Sequence, residues 1–187
     1  MKAQNLISPK GTTRLVVTLP GERSRFEEAL KRHAGEAFTT LTDTHDAFTH
    51  IARRAIERFV IMIPFIDRAG AAWVAELFEA TPAAQRLLIL RDASQLAACG
   101  QAGTHLRTLA AGVFDYCFTD GDNGGAPGET FHAKVVLADG VSAYVGSANL
   151  LRRSRHSNLE CGMLVDGPGA LAVAMLVDTV LTIARPA

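Results

Sequence analysis

The 187-residue chain has only three cysteines, Cys99, Cys117 and Cys161, an odd number with no C-x-x-C spacing. That excludes a disulfide framework and a cysteine zinc site, and it fits a reducing cytoplasm. Net charge is absent as well: 19 Lys and Arg balance 19 Asp and Glu. Without a global positive field, any nucleic-acid binding must be local. No apolar run reaches the ~18 residues that a membrane span requires. Residues 170–184 are apolar but short and carry Asp178, and they read as a buried helix. Met1 to Ser8 lacks the apolar stretch of a signal peptide, so a cytoplasmic protein with no membrane partner is expected. Neither an H-E-x-x-H spacing nor a carboxylate cluster occurs, and the expectation is no metal and no cofactor. His45 and His50, five apart, do not share a helical face as i,i+4 ligands would and read as surface residues. Trp73 and the phenylalanines are spread at core-like spacings, so no stacking platform for single strands is read from them.

What is present is core-forming material: 48% of the residues are hydrophobic. The length suits one domain, 1–187, better than two. Thr13 to Leu19 reads as a strand ended by Pro20-Gly21, Glu22 to His33 as a charged amphipathic helix, and Thr42 or Asp43 as the cap of a helix running to about Arg58. Phe59 to Phe65 is a buried strand, Asp67 to Ala80 a helix, Arg86 to Arg91 a strand, Ser94 to Ala111 a helix and Val113 to Phe118 a strand. The alternation predicts an α/β fold with a largely parallel sheet. Asp120 to Gly128 is rich in turn residues and reads as a mobile loop at the mouth of a site rather than a lid.

The chemistry gathers just beyond that loop. His132-x-Lys134 is followed by Asp139 and by Gly146-Ser147-x-Asn149, with the spacing H-x-K-x4-D-x6-G-S-x-N. These residues supply a nucleophile, a phosphate clamp and neutral hydrogen-bond donors, a combination suited to phosphodiester chemistry without metal. Thr130 to Ala138 alternates, so His132, Lys134 and Val136 share one face and Phe131, Ala133, Val135 and Leu137 the other. Asp139-Gly140 is a preferred tight-turn dipeptide, and strand 141–147 should return antiparallel. Pairing Ala138 with Val141 sets His132 opposite Ser147, with Asn149 beyond, and one inserted residue would flip the set. Asp139 lies roughly 23 Å along the strand from His132 at about 3.3 Å per residue. Its expected work is to shape the turn through its own side chain, with a partner across a subunit boundary as the alternative. Glu160, on a short strand within Asn158 to Val165, is expected to orient His132, since a carboxylate on one ring nitrogen leaves the other nucleophilic.

Six fixed identities at these offsets arise by chance on the order of once in 10^8 start positions. The pattern resembles the HKD signature of the phospholipase D superfamily, and Glu160 stands where single-motif nucleases of that superfamily carry an active-site carboxylate. The resemblance implies an α-β-α sandwich with a mixed, largely parallel central sheet. It also implies a catalytic set of His132, Lys134, Asp139, Ser147, Asn149 and Glu160. Because the superfamily joins two H-x-K motifs and this chain has one, it implies a homodimer that completes the site. One imidazole then attacks phosphorus to form a phosphohistidine while the other protonates the leaving oxygen.

Arg152, Arg153 and Arg155, with His156, form a basic loop bracketed by motif residues and are read as contacts to flanking phosphates. Arg53, Arg54 and Arg58 are read as an ordinary solvated face. The leading expectation is a metal-independent nucleic-acid endonuclease. A phospholipid hydrolase or phosphatidyl transferase is the alternative. A third reading is a nucleic-acid-binding accessory subunit of a larger bacterial defence complex, since the short chain resembles the phospholipase D-like components of DISARM-type antiphage systems.

Overall fold

The computed structural model of the chain describes residues 11–21, 24–35, 42–119 and 128–187. The expected loop from Asp120 to Gly128 lies outside these residues except for Gly128. In chain order the elements are β1 (Thr13–Thr18), α1 (Arg25–Ala34), α2 (Thr44–Arg54), β2 (Arg58–Ile63), α3 (Arg68–Ala80), β3 (Gln85–Leu90), α4 (Gln95–Ala98) and α5 (Gln101–Leu109). They continue with β4 (Gly112–Asp115), β5 (Cys117–Phe118), β6 (Glu129–Thr130), β7 (Lys134–Ala138), β8 (Ser142–Gly146), α6 (Arg152–His156), β9 (Glu160–Asp166), α7 (Pro168–Ile183) and β10 (Arg185–Pro186).

Local chemistry explains the boundaries. Asp43 starts α2 by accepting from the His45 backbone N–H at 2.7 Å, and Asp67 starts α3 by accepting from Gly70 N–H at 2.7 Å. Helix α2 stops at Arg54, short of the expected Arg58, which opens β2 instead. The helix expected over Ser94 to Ala111 is broken into α4 and α5 at Gly100, whose φ of 60° ends the first turn. The strand expected over Val113 to Phe118 also divides. β4 joins the main sheet, and β5 pairs with β6 in a separate two-stranded ribbon.

Eight strands form the main sheet in the order β1-β9-β8-β7-β2-β3-β4-β10. The fold is α/β with a mixed sheet, but only β2–β3 and β3–β4 pair in parallel, and the other five pairings are antiparallel. Parallel neighbours need a crossover helix, and only α3 and the α4–α5 pair supply one between strands that pair in parallel; β7 and β8 join through a tight turn, and β8 returns antiparallel to β9 through a connection that carries α6. On one face α2, α3 and α5 cover a core that includes Phe48, Ile51, Phe59, Ile61, Trp73, Phe78 and Tyr144. On the other face α7 covers Val60, Met62, Ile89, Val135, Leu137 and Ala143.

Helix α7 is not the buried helix that its composition suggests. Ala170, Ala174, Val177 and Val180 face the sheet, while Leu171, Met175, Leu176 and Ile183 are exposed. Among the described residues, nothing packs on the outer side of this single helix over the sheet face.

A register one residue away from the expected one orders the hairpin. Ala138 pairs with Ser142 and Lys134 with Gly146. Asp139 and Gly140 both have positive φ, at 52° and 79°, and Val141 N–H closes the turn on Ala138 O at 2.9 Å. Val141 is then an extra, exposed residue before pairing resumes. The core decides this: the offset puts Tyr144 opposite Val136 within the larger core and Ala143 opposite Leu137 under α7.

Candidate active site

Pairing in β7 begins at Lys134, so His132 lies just outside the strand, exposed, while Lys134 is 4% exposed. The two side chains share a face, as the alternation requires. Lys134 Nζ donates to the His132 carbonyl at 2.7 Å and stands 2.9 Å from Nδ1 and 3.2 Å from Nε2 of the same ring. Burial pulls the Lys134 pKa below its ordinary value, and the negative charge of Glu160 works against that shift. The Phe65 ring meets His132 edge to face at a centroid distance of 6.2 Å.

Ser147 leaves β8 but stays tied to β9: its N–H donates to Cys161 O at 3.0 Å and its hydroxyl accepts from Cys161 N–H at 3.0 Å. The same hydroxyl donates to Glu160 Oε2 at 2.6 Å, and Asn158 Nδ2 donates to Glu160 Oε1 at 3.1 Å. Both Glu160 oxygens are thus engaged away from His132, whose ring nitrogens face Lys134 instead. The expected Glu160–His132 contact does not form because β9 pairs with β8, and β8 stands between Glu160 and β7. Glu160 reaches the site as a buried countercharge to Lys134 and as the acceptor that fixes Ser147. Asn149 is half-buried, and its Oδ1 has no hydrogen-bond partner among the described residues.

Tyr144 supports this loop from below. It is fully buried, its hydroxyl accepts from Ala148 N–H at 3.4 Å, and burial pushes its pKa up to about 12. The ring fills a slot left by two glycines: a Cβ on Gly162 or on Gly146 would come within 2.3 Å of Tyr144 atoms.

Asp139 sits at the opposite end of β7 from Lys134. Its carboxylate does not fold onto its own turn. It accepts backbone N–H bonds from Ile56 at 2.6 Å, Glu57 at 3.1 Å and Arg58 at 2.6 Å, clasping the connection between α2 and β2.

The expected basic loop is instead the one-turn helix α6, and its arginines diverge. Arg155 lies over the Trp73 ring at 5.2 Å and 3.6 Å from Glu76. Arg152 lines a surface hollow with Asp67, Arg68 and Gln101, and its backbone N–H donates to Asp67 at 3.0 Å. Arg153 is exposed. Elsewhere Arg54 pairs with Asp166 at 3.4 Å and Arg58 with Asp178, while Arg53 is exposed. His50 is exposed, whereas His45 stacks on Trp73 at 5.9 Å with Nδ1 enclosed and unpaired among the described residues, not the plain surface residue expected.

Phe65, Tyr144 and Asn158 are the site residues that the sequence reading left out. Asn158 is legible as a polar residue two positions before Glu160, and Tyr144 as a lone aromatic two positions before the glycine of the motif. Phe65 has no such signal, since it closes an apolar run that reads as core.

The protein-family model described as "Cardiolipin synthase, PLD-like domain" matches residues 49–179. No curated protein matches the chain in sequence. Among solved structures, NucT from Helicobacter pylori is similar at a TM-score of 0.60 and 16% identity, over 95% of this chain and 100% of that one. The phospholipase D family member Nuc from Salmonella typhimurium is similar at 0.57 and 13%, over 95% and 99%. Phosphatidylserine synthase from Haemophilus influenzae is similar at 0.54 and 14%, over 97% of this chain and 41% of that one. At these identities the likeness to solved structures is one of fold. The family match spans more than two thirds of the chain and includes every residue from His132 to Glu160, and the chain therefore belongs to the phospholipase D-like domain family of cardiolipin synthase.

Proposed function

We propose that the protein is a metal-independent phosphodiesterase acting on nucleic acid, an endonuclease whose site is completed by a second copy of the chain. The carrying observation is the exposed His132 held against the enclosed Lys134, with Ser147, Asn149 and Glu160 on the adjoining segments, in a chain that has one H-x-K motif. The family's chemistry is that of phosphodiester bonds.

A His132 ring nitrogen bonds to phosphorus as the bond to the leaving oxygen breaks, and His132 of the second copy gives that oxygen its proton. The second imidazole then takes a proton from water, whose oxygen bonds to phosphorus as the N–P bond breaks and His132 is restored. Lys134 has the charge to stabilise the non-bridging oxygens: a phosphate oxygen replaces the imidazole as the acceptor of its ammonium. The Asn149 amide nitrogen adds a neutral donor, and Glu160 keeps Ser147 in place through its 2.6 Å bond. Arg152 and Arg153, exposed on α6, are the arginines free to meet flanking phosphates, while Arg155 holds α6 to Trp73.

A lipid substrate is the second reading, favoured by the family description and by the likeness to phosphatidylserine synthase, of which the chain spans 41%. The deciding experiment offers labelled single- and double-stranded DNA, RNA, bis-p-nitrophenyl phosphate and anionic liposomes to the protein in EDTA. Nucleic-acid cleavage that survives the chelator and disappears in His132→Ala is the expected result. Hydrolysis of liposomes alone would replace the nuclease reading with the lipid one.

A further inference from the structure

We infer that Phe65 and Arg91 form a stacking subsite beside the reactive histidine, built for an unpaired base next to the scissile phosphate of a single strand. The inference deepens the nuclease reading and rests on it.

Phe65 is 37% exposed, although it lies only two residues past a strand buried over Phe59 to Ile63. One side of its ring meets His132, and the Arg91 guanidinium carbon lies 5.9 Å from its centroid. Arg91 is exposed and has no ion-pair partner among the described residues. Its charge is felt by the neighbouring Asp92 carboxylate, with which it lines a surface hollow. An aromatic face, an exposed guanidinium and a phosphate-reactive imidazole thus stand side by side.

The ring is displayed on a fixed backbone. The Gln95 side-chain amide donates to Pro64 O at 3.1 Å and accepts from Ile66 N–H at 3.2 Å, gripping the residues on both sides of Phe65. Ile66 also bridges Leu150, the residue after Asn149. Asp67 accepts from Arg152 N–H at 3.0 Å. The segment that carries Phe65 is therefore tied to the loop after Asn149, and the strand before it, β2, pairs with β7 as far as Met62 and Val135, close to His132. A pre-positioned apolar ring suits a base face, and a guanidinium over the same ring suits the phosphate of the adjoining nucleotide. A base paired within a duplex does not offer its face to the ring.

The test compares oligonucleotides with a base or an abasic residue next to a single cleavable phosphodiester. With the native protein, kcat/KM should be about tenfold higher for the base-containing strand. Phe65→Leu keeps apolar volume at a partly exposed position but has no ring, and the ratio between the two strands should fall to about one. In Arg91→Gln, the slope of log affinity against log salt for the single strand should shrink by about 0.7, the loss of one phosphate contact. A ratio unchanged in Phe65→Leu overturns the stacking subsite whatever its absolute rate, and an unchanged salt slope removes Arg91 from it. Cleavage of liposomes with no cleavage of either strand by the native protein is a different outcome, in which the nuclease reading itself has failed.

Discussion

The Lys134 ammonium is enclosed by protein and faces Glu160, whose two oxygens are already occupied by Ser147 and Asn158. Burial lowers its pKa and Glu160 raises it, with burial the larger effect. For stability the sign is that of a cation disfavoured by folding. The cost is full at pH values below the folded pKa, and it fades as pH rises from there to the ordinary 10.5 of lysine. For activity the consequence is an alkaline limb that begins below the range of an exposed lysine, because the neutral amine no longer stabilises a phosphorane. Glu160→Gln keeps an acceptor for Ser147 but removes the opposing charge, so the limb should move to lower pH. A pH profile of kcat for the two proteins checks this, and a limb that stays in place would separate Glu160 from the Lys134 charge. His132→Ala and Lys134→Ala should abolish cleavage outright.

Among elements, the β7–β8 hairpin carries the motif at one end and a structural clasp at the other. Asp139 satisfies three backbone donors of the α2–β2 connection, and a carboxylate lost from such a position leaves them unpaired. Asp139→Ala should lower stability by about 1–3 kcal/mol, read as a fall in melting temperature, while harming kcat less than His132→Ala does. Equal damage to kcat in both variants would mean that Asp139 acts on the chemistry. The alternation of Thr130 to Ala138 was enough to read that His132 and Lys134 share a face, because it needs only the period of a strand. The register was not legible in the same way. A two-residue turn at Asp139-Gly140 is the local preference, yet Tyr144 must fill the slot between Gly146 and Gly162, and that long-range demand inserts Val141 and shifts the pairing by one. Glu160 was read as a carboxylate on a short strand beside the motif, but its partner depends on strand order, which periodicity does not encode: β9 lies beyond β8. The sheet's antiparallel half was hidden for a related reason, since the antiparallel β7–β8–β9 returns and strands joined by crossover helices look alike as isolated apolar runs.

At the scale of the whole molecule, one chain presents one imidazole held by one lysine, and the proposed reaction needs a second histidine to protonate the leaving oxygen. The proposed isologous pairing of two copies would supply it, and would make every site dependent on residues of both chains. Light scattering should then give twice the 20.0 kDa of the chain. Mass alone does not test the shared site, but mixed dimers do. If native and His132→Ala chains are co-expressed at varied ratios, a mixed dimer holds one nucleophile and no acid, so it is inactive. The activity per native chain should therefore fall in proportion to the fraction of native chains in the mixture. A chain that carries a complete site would show constant activity per native chain at every ratio, in a dimer or a monomer. Because His132 is exposed and its removal leaves the cores under α2, α3 and α7 untouched, the variant should assemble as the native chain does, and the dilution curve reports on site composition rather than on folding.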